Sequence, residues 1–244
     1  MSTRRTLLRS TLLCLALAVA AAALPAKAEA AEVLVFGGTG QLGSEVVRSL
    51  LAAGHTVTVF RREGSDLSRL QGLTVQTAIG DATLERDVQA AFAARRYDVA
   101  VNALAKGRSE PAAFYATTQR SITAAAKATG VKQVILHSSV GAGDSRAIYP
   151  EAMWPRMKDV LLAKEVGERE LIASGVPYTI VRNAVLRDDA PGVREKAALS
   201  TDQRRFGAVT RSGLGRLTAE CTLKAECLGR IYHAVDPQVA IPQR

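Results

Sequence analysis

The segment Gly37-x-x-Gly40-x-x-Gly43 constrains this chain more than any other feature. It follows the short apolar run Glu32-Val33-Leu34-Val35-Phe36, which is rich in strand formers. It opens a helical pattern in which Leu42, Val46, Val47, Leu50 and Leu51 share one face. A glycine-rich turn between a strand and a helix suits one task well. The first glycine permits a tight turn, the second lets the backbone approach a pyrophosphate, and the third allows the helix to pack closely on the strand. The helix N-terminus then presents N–H groups and a partial positive charge to phosphate. A glycine trio alone is weak, but the strand–turn–helix context is the one that this motif needs. The segment therefore reads as a nucleotide-binding loop in which Thr39, Gln41 and Leu42 lie between the glycines. The bland alternative is a degenerate loop that no longer binds.

The alternation continues along the chain. The pattern predicts strands at 56–60, 73–77, 99–101, 131–137, 177–181 and 231–235. It predicts helices at 84–94, 111–129, 152–174 and 213–224, several of them ended by glycine. Strands that alternate with helices imply an α/β, Rossmann-type doubly wound parallel sheet in a single domain over 29–244. The polar, irregular stretch 187–207 reads as a substrate-side insertion or flap.

The first 28 residues read as a leader. Thr3-Arg4-Arg5-Thr6-Leu7-Leu8-Arg9 is a basic start with an arginine pair, an apolar run follows from Leu12 to Leu24, and Ala26-Lys27-Ala28 offers small residues for cleavage, as does Ala28-Glu29-Ala30. Thirteen apolar residues are too few to span ~30 Å of hydrocarbon comfortably. The start resembles the twin-arginine signal, which implies export of a folded chain to the periplasm and no stable membrane span after cleavage. An ordinary signal carrying two arginines, or an uncleaved anchor, would look similar. The formal charge of +9 includes four leader cations, so the remainder is near +5. With aromatics at 5% and no basic stripe studded with them, a nucleic-acid role has no support.

The cofactor choice is read after the second strand, roughly 20 residues past the glycines. An acidic residue there would bind a ribose 2′-hydroxyl, but Arg61 and Arg62 stand in that place. A guanidinium pairs bidentately with a 2′-phosphate, so the reading is NADP(H). The alternative is a pair of surface arginines.

The loop spacing with Gly38-Thr39 inside it resembles the extended and atypical short-chain dehydrogenase/reductases. The run from Val131 to Ser139 and that from Ser174 to Arg182 are similar to later strands of the same superfamily. The branch with NmrA-like proteins and biliverdin-IXβ (flavin) reductases is the most similar. The resemblance implies that Asp81 sits near the adenine and that Asn102, Ala103 and Leu104 lie along the cofactor. Asp81 could equally cap the helix that follows. It also implies a catalytic centre at Ser138, Ser139 and Lys164. Active members of the superfamily use a Tyr-x-x-x-Lys pair, yet Val160 stands four residues before Lys164, and Tyr149 lies far upstream. The ordinary proton relay is therefore missing. Hydride transfer to a planar small-molecule acceptor such as a flavin or quinone remains open, driven by proximity and orientation. So does a non-catalytic reading, a NADP(H)-binding sensor or scaffold with a protein partner.

Other candidates are weaker. The serines could simply end a strand, and Lys164 could be an exposed helix lysine. His55, His137 and His233 lack metal-ligand spacing, so no metal site is expected, although His137 ends a strand on the ligand side. Met153 and Trp154 could line an acceptor pocket or simply pack. Cys221 and Cys227 could form a disulfide in an oxidising compartment; the sequence leaves this open.

Overall fold

A computed structural model describes residues 30–188 and 196–241. The leader predicted at 1–28 and part of the flap predicted at 187–207 lie outside the described residues. The elements are β1 (Glu32–Phe36), α1 (Gln41–Ala52), β2 (Thr56–Arg61), β3 (Gln76–Ile79), α2 (Glu85–Ala94), β4 (Val99–Asn102), α3 (Phe114–Thr129), β5 (Gln133–Ser139), α4 (Trp154–Ala173), β6 (Tyr178–Asn183), β7 (Val185–Arg187), β8 (Ala198–Ser200), β9 (Ala208–Thr210), α5 (Arg211–Cys221) and β10 (Arg230–Val235).

Eight strands form one sheet in the order β3-β2-β1-β4-β5-β6-β10-β8. All neighbours are parallel except β10 and β8. Alternate residues of β1 feed two cores, as the period of two in a strand requires. Leu34 and Phe36 join Phe60, Phe92, Ile122 and Leu136 on one face. Val33 and Val35 join Val46, Val47, Leu50, Val59 and Ile135 on the other. Both faces are covered, which is why the strands read as continuous apolar runs.

Local chemistry sets the boundaries and accounts for the departures from the sequence reading. The third strand begins at Gln76, opposite Thr58, rather than at residue 73. Leu73 and Val75 instead pack beneath the second core, after a turn in which Gly72 takes φ +75°. Helix α3 starts at Phe114 because Pro111 stays in a turn, its carbonyl accepting from the Phe114 N–H at 3.1 Å. It ends at Gly130, φ +70°, where the chain closes back on Ala126 and Lys127. Helix α5 begins two residues before the predicted start, because Thr210 Oγ1 accepts the Gly213 N–H at 3.1 Å as an N-cap. The stretch 187–207 is not wholly irregular: β8 pairs antiparallel with β10, Ser200 opposite His233.

Cys221 and Cys227 form a disulfide with Cα atoms 5.6 Å apart. It closes a short loop just beyond α5, where Leu223 takes φ +57°. Gln133 ties the same loop to β5, donating to the Cys221 carbonyl at 3.1 Å and accepting the Leu223 N–H at 2.7 Å. A loop this small gains about 2 kcal/mol in the chain-entropy picture of a cross-link.

Candidate functional site

The strand order reverses between β1 and β4, and ligands bind outside the carboxyl ends of strands at such a point. A cleft of about 480 Å³ opens there, lined by Gly37, Thr39, Gly40, Gln41, Leu42, Ala103, Leu104 and residues to either side. Each glycine of the loop has its own reason. Gly37 has φ +80°, and a Cβ there would come within 2.7 Å of the Ala103 carbonyl oxygen. Gly43 lines no part of the cleft; a Cβ there would run into the Gly37 carbonyl as α1 packs on the loop. Gly40 differs. Its φ is −79°, and its nearest neighbour to an added Cβ is the Gly37 oxygen at 3.2 Å, so protein packing demands little of this position. What a side chain would fill at Gly40 is cleft. Helix α1 also starts without a side-chain cap and without an acidic residue in its first turn. Its first amides therefore face the cleft ready for an anion. The loop fits a dinucleotide pyrophosphate.

At one end of the cleft lie Phe60, Arg61, Arg62, Ser65, Gly80, Asp81, Ala82 and Glu110. Arg61 folds back on the carbonyls of Arg62 and Glu63 at 3.2 and 3.1 Å, and its Nε is buried without a partner. The Arg62 side chain is 69% exposed and reaches Glu110 at 3.4 Å. A cation this exposed is available for a 2′-phosphate, with Glu110 as its competitor in the free protein. Asp81 accepts from the Thr83 amide at 2.8 Å and from its hydroxyl at 2.7 Å. It shapes the turn before α2 and does not cap the helix, whose N-cap position is Leu84. Those bonds hold its carboxyl below the ordinary value. Asn102 sits one layer beneath, donating to Gln119 at 2.8 Å and accepting the Leu104 N–H at 3.0 Å, which fixes the course of Ala103 and Leu104 along the cleft.

The other end is lined by Tyr115, His137, Ser139, Met157, Val160, Lys164, Asn183, Leu186 and Arg211. Ser138 and Ser139 part company here, because neighbours on a strand face opposite ways. Ser139 lines the cleft, whereas Ser138 lines a small adjoining cavity of about 10 Å³, with its Oγ buried and unpartnered. Lys164 is no exposed lysine. Its Nζ donates to the His137 carbonyl at 3.3 Å and stands 4.6 Å over the Tyr115 ring. Burial pushes its ammonium down to about 8, and Glu168 one turn on opposes that shift. The His137 ring is held by Thr218 of α5 at 3.1 Å. Burial and then the Lys164 charge push it down to about 3, so it stays neutral. Its Nδ1 is buried without a partner. Trp154 packs on Tyr149 instead of lining the cleft, and Met153 is exposed; Met157 and Val160 of the same helix form the wall. Sequence reasoning missed Tyr115, Glu110 and Arg211 because nothing local marks them; helix packing brings them in. Lys164 is cationic below about 8 and neutral above it, so acceptor binding or turnover that needs the cation falls as pH rises through that value. A pH–rate profile checks this: the alkaline limb disappears in Lys164→Met.

A buried polar knot supports this end. Arg182 of β6 meets Glu168 of α4 at 2.7 and 3.1 Å, Gln203 at 3.0 Å, and Asp144 in a closer contact. Arg182 and Glu168 are each 2% exposed. Glu168 lies one helical turn after Lys164, so the pair fixes the rotation of α4 that presents Lys164 and Val160 to the cleft.

A doubly wound sheet whose reversal point opens on an uncapped glycine-rich helix N-terminus defines a dinucleotide-binding protein. The chain belongs to the NAD(P)H-binding family, which it matches over residues 37–224, and NAD(P)H is its cofactor. The anaerobilin reductase ChuY of Escherichia coli O157:H7 has a similar fold, with a TM-score of 0.75 and 24% identity over 86% of this chain and 100% of that one. A short-chain dehydrogenase/reductase from Veillonella parvula, solved in complex with NADP, is similar at a TM-score of 0.67 with 15% identity, over 84% of this chain and 94% of that one. The NAD(P)H azoreductase of Xenophilus azovorans is 29% identical over 170 residues, covering 67% of this chain and 53% of the relative. Sterol demethylase protein B of Methylococcus capsulatus is 32% identical over 166 residues, covering 63% of this chain and 51% of the relative. The chain thus spans about half the length of these two relatives. The expected nucleotide-binding family holds as NAD(P)H-binding, and the expected fold is shared with these solved structures.

Proposed function

We propose that this chain is an exported, NADPH-dependent reductase that passes hydride to a planar conjugated acceptor. The observation that carries the reading is the division of one cleft into two ends. The phosphate loop and Arg62 occupy one end, and an apolar chamber of Met157, Val160 and Leu186 with Ser139 and Lys164 occupies the other. Bound NADPH supplies the hydride. The chain itself anchors phosphates through the Gly37–Gly43 loop, holds the acceptor flat against apolar walls, and places Ser139 and Lys164 beside the reacting faces. Val160 removes the phenol of the usual Tyr-x-x-x-Lys pair, and the Tyr115 hydroxyl nearby is engaged by the Lys106 amide at 3.3 Å, which suits acceptors protonated from solvent, such as flavins and quinones. The names of the relatives add bilins and azo compounds to that class. Proximity then supplies most of the rate.

The test is to titrate purified protein with NADPH and NADH, following nicotinamide fluorescence, and then to add flavin, quinone, azo and bilin acceptors. Oxidation with any of them supports the reductase; tight binding that no acceptor discharges supports the sensor or scaffold, which Val160 also favours. Arg62→Ala is expected to weaken NADPH about tenfold or more, the worth of a charge-assisted contact, and to leave NADH unchanged.

Export rests on the leader and on the disulfide, a bond favoured outside the cytoplasm. Replacing Arg4 and Arg5 by lysine is expected to retain the protein in the cytoplasm, with Cys221 and Cys227 reduced. The thermal midpoint should then fall by about 5 °C, as the cross-link's contribution to a domain of this size implies. Unchanged export and oxidation would remove the twin-arginine assignment.

A further inference from the structure

We propose that the acceptor carries an acidic group, a carboxylate or sulfonate, and that Arg211 is the residue that reads it. This rests on the reductase reading for the word acceptor, but the binding site itself does not need that reading. The charges that line the cleft are unevenly divided. Both lining carboxylates among the described residues, Asp81 and Glu110, lie at the end with Arg61 and Arg62. Among the described residues the other end holds two lining cations, Lys164 and Arg211, and no lining carboxylate. A reduced nicotinamide ring is uncharged, so the reacting part of the hydride donor does not balance them. Lys164 is already engaged by the His137 carbonyl and the Tyr115 ring.

Arg211 is placed differently. It opens α5, and its side chain is 18% exposed among the apolar walls. Its partner Asp188 is 81% exposed and touches it at 2.6 Å from the solvent side. A solvated carboxylate gives up such a contact at little cost, whereas a guanidinium inside a cleft gains strongly from a planar bidentate anion. The acid group of a bound acceptor thus exchanges with Asp188. The apolar chamber takes the conjugated body, and Arg211 sets its direction relative to Ser139 and Lys164. The same arginine borders a second open cleft in which Arg48 and Arg69 stand beside Glu45 and Asp188.

The experiment uses an azobenzene dye that bears one carboxylate, and its methyl ester. Binding to the NADPH-loaded protein is followed by dye absorbance, apart from any turnover. The wild type is expected to bind the acid more tightly than the ester. Arg211→Gln should weaken the acid about tenfold or more, the worth of a charge-assisted hydrogen bond, and leave the ester and NADPH unchanged. Asp188→Asn removes the competitor from an exposed position and should tighten the acid. Equal affinity for acid and ester in the wild type overturns the proposal. So does a loss of NADPH affinity in Arg211→Gln, which would assign the arginine to the pyrophosphate, or an equal loss for both dyes. If the acid binds in an Arg211-dependent way and neither dye is reduced, the acid site stands and the reductase reading falls.

Discussion

Gly40→Ala is expected to keep its thermal stability and bind the cofactor weakly, while Gly43→Ala loses stability and affinity together. The two positions differ by three residues and by the reason for their glycine. At Gly40 the backbone is in a region open to any residue, and an added methyl meets only the Gly37 oxygen at 3.2 Å. The thermal midpoint should stay close to that of the wild type. The methyl projects where a pyrophosphate must approach the backbone, and overpacking of about 1–3 kcal/mol there weakens NADPH by about one to two orders of magnitude. At Gly43 the methyl would collide with the Gly37 carbonyl inside the protein, so α1 must move away from β1. The same strain now falls on folding, and about 5 °C or more of thermal midpoint is lost along with binding. Calorimetry and NADPH titration on the two variants separate the effects. Equal melting losses at both positions would mean that Gly40 serves packing, not the ligand.

These glycines were legible in the sequence because their motif is local: strand, turn and helix are contiguous, and so are the constraints. The alternation of β and α was legible for the same reason, since apolar runs buried on both faces need no partner to be recognised. The failures come from contacts made at a distance. Residues 73–75 are apolar enough for a strand, but the pairing of Thr58 with Gln76 sets where β3 begins. Tyr115 comes to Lys164 only when α3 packs on α4, and Arg211 comes to the cleft only when α5 packs on α1 so closely that a Cβ at Gly215 would lie 2.6 Å from the Glu45 carbonyl. The serine pair is a different case. Residues 138 and 139 lie on a strand, and the period of two allows only one to face the cleft, a deduction within reach of the sequence alone. The disulfide depended on a positive φ at Leu223, which no propensity for leucine would suggest.

The largest stability effect is expected at Arg182. Arg182→Met leaves Glu168 2% exposed and without its bidentate partner. Removing one member of a buried pair costs about 3–5 kcal/mol, because the remaining charge has lost its solvent and its counter-ion together. For a domain of this length that is a fall of about 10 °C or more in thermal midpoint. Asp144 and Gln203 lose their anchor as well, so the 143–148 turn and the 201–205 segment should exchange amide protons faster. The double variant Arg182→Met with Glu168→Leu is the control: replacing both charges by apolar groups of similar volume should recover most of the loss. Recovery of stability need not bring recovery of function. The salt bridge fixes the rotation of α4, and an apolar pair fixes it less specifically, so Lys164 one turn away should be held less well. The double variant is therefore expected to melt near the wild type while its acceptor affinity stays low and its NADPH affinity at the distant Gly37–Gly43 loop is unchanged. Full recovery of acceptor affinity would show that the pair serves folding alone.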